Sequence, residues 1–140
     1  MRRVLFDVNV VLDVLLDRRP FAEASAAVWR AVEVGRAEGL LSAHAVTTLH
    51  DLNAREVGAK KARDTTEALL SVFEVAPVDE AVLRAALALD WRDFEDAVTA
   101  SAARRAKCQA IVTRNARDFK APWIRVLTPS EAAAWLDTAG

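Results

Sequence analysis

Three acids stand where an α/β chain places its chemistry. Asp7 follows the apolar run Val4-Leu5-Phe6, Asp96 lies in the first turn of a helix opening at Asp93, and Asp118 comes shortly after the run Ala110-Ile111-Val112-Thr113. Loops and helix N-termini converge beyond the carboxyl ends of the strands in open α/β sheets, so these segments are expected to meet at one rim. Carboxylates gathered there repel one another and hold protons unless cations neutralise them. Mg²⁺ or Mn²⁺ resolves that conflict, because either prefers oxygen ligands and leaves positions for a phosphate oxygen and a water. A thiolate–imidazole zinc site lacks ligands, since the chain has one cysteine, Cys108, and two histidines, His44 and His50.

The remaining polar residues divide by their surroundings. Asp7-x-Asn9 in so apolar a context reads as a site, whereas Asp93 reads as a helix cap, with Asp96 as its capping-box partner or as a site acid. Asp13, Asp17, Glu23, Asp64 and Glu95 look like exposed helix-face charges, Asp13 being the one placed to support the site from behind. His44 and His50 read as ordinary surface or core histidines. Trp29, Trp91, Trp123 and Trp135 are scattered, which suits packing or an interface better than a base-stacking platform.

The elements that must position these residues follow from periodicity. Val4–Phe6 is a short strand, and Asn9 caps a helical turn running to about Leu16. Pro20 opens a second helix, with Phe21, Ala24, Val28, Val32 and Gly35 on its inward face, ending near Gly39. Leu40-Leu41-Ser42 is a buried strand, followed by a helix through Val46, Leu49 and Leu52 to Gly58 and another over about 59–71. Val72–Val75 is β-prone before Pro77. Asp79 caps a helix carrying Val82, Ala86 and Leu89, and Asp93 begins one with Phe94, Ala97, Ser101 and Ala102 inward. Strands follow at Ala110–Thr113 and Ile124–Leu127, and Thr128-Pro129-Ser130-Glu131 starts the last helix with a capping box. The order is β-α-α repeated and then β-α-β-α. Short apolar strands between amphipathic helices predict a three-layer α/β/α sandwich with a central parallel sheet of about five strands.

Size and composition bound what such a fold can be. At 140 residues and 53% hydrophobic content the chain is expected to form one domain over 1–140 with a well-filled core. No apolar run is long enough for a membrane span, and no cleavable leader follows Arg2-Arg3, so a cytoplasmic location is expected. A net charge of -1 gives no global pull on nucleic acid. The basic residues instead fall in local clusters: Arg2-Arg3, Arg18-Arg19, Lys60-Lys61-Arg63, Arg104-Arg105-Lys107 and Arg114-Arg117-Lys120.

Asp7-Val8-Asn9-Val10-Val11-Leu12-Asp13 after a strand, Asp93-Phe94-Glu95-Asp96-Ala97, and Thr113-Arg114-Asn115-Ala116-Arg117-Asp118-Phe119 together resemble PIN domains, the fold of many bacterial toxin ribonucleases of the VapC type. The resemblance covers almost the whole chain and implies an acidic site that binds Mg²⁺ or Mn²⁺ and cleaves RNA. By motif match Asp7 is the first acid, Asp96 the third and Asp118 the fourth, with Asn9, Thr113, Arg114 and Asn115 assisting at the rim. The second acid departs from the pattern. Where many PIN domains have Thr-x-x-Glu-Leu, this chain has Thr48-Leu49-His50-Asp51-Leu52, so Asp51 is the catalytic candidate for that corner and His50 a lesser one.

The expected reaction is in-line attack of water on an RNA phosphodiester, with the metal lowering the water's pKa and neutralising transition-state charge. Arg114, Arg117 and also Arg18 or Arg55 would hold flanking phosphates. Resemblance to VapC toxins further implies a small antitoxin partner and a homodimer, for which apolar residues between Leu41 and Leu52, or Trp135, offer surface. A PIN-like module that binds RNA or a protein without cutting is the alternative. A phosphoaspartate receiver or a haloacid-dehalogenase-like phosphatase needs a second early acid where Asn9 stands.

Overall fold

Val4, Leu5 and Phe6 are fully buried, and their alternation sends Val4 and Phe6 to one face of a sheet and Leu5 to the other. A strand with both faces covered needs helices on each side. The computed structural model describes residues 1–138 and has that arrangement. Five parallel strands, β1 (Arg3–Phe6), β2 (Glu38–Ser42), β3 (Glu74–Ala76), β4 (Ala110–Val112) and β5 (Arg125–Leu127), lie in the order β3-β2-β1-β4-β5.

Helices α1 (Val8–Leu15), α2 (Ala22–Glu33), α3 (Ala43–Val57), α4 (Ala59–Val72), α5 (Glu80–Leu89), α6 (Phe94–Arg105) and α7 (Pro129–Asp137) complete the α/β fold. One core joins Val4, Phe6 and Val112 to Val10, Val28, Leu49, Leu69 and Leu136. The other joins Leu5, Leu40 and Ile111 to Val82, Ala86 and the small-residue face of α6. Alanines at 97, 100, 102 and 103 let α6 lie close between the sheet and α5. No helix among the described residues is long and apolar enough to cross a membrane.

From β1 the chain builds outward through β2 and β3, then returns to the opposite side of β1 for β4 and β5. The carboxyl ends of β1 and β4 therefore flank the topological switch point, where loops diverge and leave a crevice. Asp7 and Thr113 are the residues that leave those two strands.

Several local expectations shift. The inward face of α2 is Ala22, Ser25, Val28, Ala31 and Val32, with Phe21 exposed before the helix begins. That helix stops at Glu33, and Gly39 lies within β2, where an added Cβ would come within 2.8 Å of Phe73 and 2.9 Å of Val32. Helix α4 continues to Val72, so β3 starts at Glu74. Between β4 and β5 stands a single 3₁₀ turn, Ala116–Asp118, in place of an α-helix. Phe94 is exposed rather than inward. Leu41 and Leu49 are buried in the core and offer no partner surface, while Trp135 is flanked by Arg2 and Arg125 at 4.2 and 5.3 Å.

Candidate active site

Asp7 is both the end of β1 and the N-cap of α1. Its Oδ1 accepts the Val8 N–H at 2.9 Å, and its Oδ2 accepts the Thr113 hydroxyl at 2.8 Å, which ties β1 to β4 at the switch point. Asn9 Nδ2 stands 3.5 Å from the same Oδ2. The Asn9 Oδ1 accepts the Arg114 N–H at 3.3 Å, and the Asn115 N–H donates to Thr113 Oγ1 at 3.1 Å. The side chains of Asn9 and Thr113 thus brace the loop after β4 against the start of α1. Burial pushes the Asp7 carboxyl above its ordinary range, opposed by the bonds from Thr113 and Val8.

Asp96 enters from α6. Asp93 caps that helix through the Asp96 N–H at 3.0 Å, as its spacing predicts. The Asp96 side chain is left free for the crevice. Its pKa is pushed up to about 7, first by burial and then by the negative charges of Asp7, Asp93, Asp118 and Glu95. An acid this strongly perturbed in a cleft marks a functional site more often than chance. Asp96 and Asp118 face one open cavity of about 820 Å³, with Arg117 and Lys120 also on its wall. Asp118 closes the 3₁₀ turn and is exposed.

The set offers oxygen donors and an excess of mutually repelling negative charge, which suits a hard divalent cation. Among the described residues, no three His, Cys, Asp or Glu side chains already stand close enough to hold an ion.

The sequence agrees with this geometry at the family level. The PIN domain family model matches residues 3–117, which include Asp7, Asp96, Thr113 and Arg114. The chain belongs to the PIN domain family.

Relatives of this PIN domain carry nuclease and toxin names. It is 26% identical over 134 residues to Ribonuclease VapC1 of Aquifex aeolicus (strain VF5), covering 92% of each chain. In fold it is similar to a toxin–antitoxin complex from Klebsiella pneumoniae, with a TM-score of 0.68, 21% identity and coverage of 91% of this chain and 98% of that one. It is likewise similar to VapBC-1 from nontypeable Haemophilus influenzae, with a TM-score of 0.71, 12% identity and coverage of 91% and 98%.

Not every acid flagged in this PIN domain reaches the cluster. Asp51 is 74% exposed on α3, with His50 Nδ1 3.5 Å away. Residues seven apart on a helix share a face but stand about 10 Å apart along the axis. Asp51 is therefore displaced from His44, which sits in the first turn of α3 beside the rim.

By residue type alone His44 reads as an ordinary histidine. Its Nε2 lies 3.5 Å from Thr99 Oγ1 on α6, and its Nδ1 is buried without a hydrogen-bond partner among the described residues. Burial lowers its pKa, while Glu95 and Asp7 pull it upward. The signal that finds it is its place two residues after Ser42, the end of β2, the same strand-end argument that singles out Asp7. Glu95 is exposed, as a helix-face charge should be, yet its field reaches Asp7, His44 and Asp96. Asp13 is no surface charge. It is completely buried between Arg18 and Arg114.

Proposed function

We propose that this PIN domain is a divalent-metal-dependent endoribonuclease that hydrolyses RNA phosphodiester bonds, and that it acts as the toxin of a toxin–antitoxin pair. The observation that carries this reading is the half-buried Asp96 beside Asp7 and Asp118 near the β1/β4 switch point, its pKa raised to about 7 first by burial and then by the neighbouring carboxylates. Asp7, Asp96 and Asp118 would hold Mg²⁺ or Mn²⁺. When bound, such an ion neutralises phosphate charge and makes water acidic enough to attack.

The chain's own residues arrange the rest. Thr113 and the Val8 N–H orient the two oxygens of Asp7 in different directions. Asn9, Thr113 and Asn115 fix the loop that presents Arg114, whose guanidinium would bind a phosphate oxygen and add affinity without sequence information. Asp51, two turns along α3, is left out of this set. The Aquifex relative's ribonuclease name supports RNA as substrate, and the toxin–antitoxin complexes among its structural neighbours support a small antitoxin partner. A homodimer is proposed on the family resemblance.

Purified protein should cut RNA only with Mg²⁺ or Mn²⁺, and its expression should slow bacterial growth. Asp7→Asn should remove both effects. A second reading, RNA or protein binding without cleavage, is favoured by the exposed placement of Asp51. Absence of any Mn²⁺-induced rise in melting temperature would support it over the nuclease.

A further inference from the structure

Beside the acidic rim stands a cationic assembly built around Asp13. A carboxylate with no solvent exposure is tolerated only when paired. Arg18 Nε donates to its Oδ1 at 3.1 Å, while Arg114 Nε lies 2.9 Å from its Oδ2 as an ion pair without hydrogen-bond alignment, and the Ser25 hydroxyl is 3.5 Å from the latter. Two guanidiniums thus share one buried negative charge, leaving a net positive charge. Both arginines keep an outer surface, at 39% and 26% side-chain exposure. Guanidinium forks pinned from behind and open in front suit a phosphate.

Arg114 also lies over the ring of Phe21, 4.0 Å from its centroid. Phe21 is 41% exposed and belongs to neither core. Next to it opens a cavity of about 240 Å³, bordered by Ala24, Arg114, Thr128 and Pro129. That is smaller than the ~300 Å³ of a drug-sized pocket and suits one planar ring. An aromatic face beside a fixed guanidinium is how proteins hold single-stranded nucleic acid, with a base on the ring and a phosphate on the cation. Asn9 links this assembly to the acids, since its carbonyl lies 3.4 Å from Arg18 Nη2 while its side chain faces both Asp7 and the Arg114 N–H.

We infer that Phe21, Arg18 and Arg114, fixed by the buried Asp13, form a nucleotide subsite for single-stranded RNA next to the acidic cluster. It takes one base against the face of Phe21 that Arg114 does not cover and a flanking phosphate on the two guanidiniums. The choice of RNA rests on the nuclease reading above; the stacked ring and paired arginines do not. Asp13 acts as a positioning residue and does not touch the RNA.

The test is fluorescence anisotropy of a labelled single-stranded oligoribonucleotide with the full chain in EDTA, where nothing is cut, over a series of salt concentrations. Phe21→Ala should weaken binding about tenfold with no change in salt dependence, because it removes a stacking face and no charge. Phe21→Leu, which keeps an apolar side chain, should weaken it comparably, and Phe21→Trp should restore it. Arg114→Ala should weaken binding and flatten the plot of log affinity against log salt by about 0.7. Wild-type affinity in both Phe21→Ala and Phe21→Leu, with melting temperatures unchanged, overturns the subsite and leaves cleavage by the wild type intact. A wild-type chain that neither binds nor cuts the RNA overturns the subsite and the nuclease reading together.

Discussion

The Thr113 hydroxyl donates to Asp7 Oδ2 at 2.8 Å across the two strands that flank the switch point. Thr113 is fully buried and also accepts the Asn115 N–H. One hydroxyl therefore sets the direction of the first acid and the course of the loop that carries Arg114. Thr113→Val keeps the shape and removes the hydroxyl. Since hydrogen bonds to charged groups contribute ~1.5–3 kcal/mol, thermal or urea unfolding should show a loss of about 2 kcal/mol. The same bond lowers the Asp7 pKa, so the acid limb of the activity profile should move to higher pH in this variant.

Asp96 predicts the pH dependence of the metal-free protein. Its folded pKa, about 7, lies above the ordinary 3.8 of a free aspartate, so the folded state binds more protons than the unfolded state between those values. Stability should therefore fall as pH rises from about 4 to about 7 and level off above that. Melting curves in EDTA should show this slope, reduced in Asp96→Asn, and Mn²⁺ should raise the melting temperature most at pH above 7. A wild-type slope of opposite sign would show that other groups dominate.

Asp13 predicts a stability effect without a charge on the surface. Removing one partner of a buried ion pair costs roughly 3–5 kcal/mol. Both arginines keep partial solvent contact, so Asp13→Ala should cost about 3 kcal/mol in denaturant unfolding, the low end of that range. Asp64→Ala, an exposed carboxylate on the outer face of α4, should change stability by no more than ~0.5 kcal/mol.

Asp51 and His44 share a face of α3 and should behave differently. Asp51→Ala should leave metal-dependent cleavage within about twofold of wild type, because its carboxylate is exposed and lies about 10 Å along α3 from the turn that meets the rim. His44→Ala should lower cleavage by at least about tenfold, since His44 lies within the field of Asp7 and Glu95. Initial rates on one RNA substrate compare the two directly.

How much the sequence disclosed follows from which signals are local. The end of an apolar run places Asp7, a capping residue three positions earlier places Asp96, and the Thr128/Glu131 capping box marks the start of α7. Each depends on neighbours a few residues away. The burial of Asp13 depends on Arg114, whose position is set by β4 and by Asn9, far along the chain. The phase of α2 departs from its sequence periodicity for a similar reason. Phe21 looks like a core residue by type, but the face that meets α7 and the sheet is the one bearing Ala22, Ser25 and Val28. Charge type singles out Asp51, whereas His44, nearer the end of β2, is the α3 side chain that Asp7 and Glu95 perturb.

The central claim is that the carboxylates at the β1/β4 switch point drive metal-dependent RNA cleavage. Its most direct test is single-turnover cleavage of a defined RNA by the wild type, Asp7→Asn and Asp96→Asn, with and without Mn²⁺, on samples shown by circular dichroism to be folded. The wild type should cut only with Mn²⁺, and both variants should lose at least about a hundredfold in rate. Undiminished cleavage by both folded variants, or equal wild-type cleavage in EDTA, would contradict it.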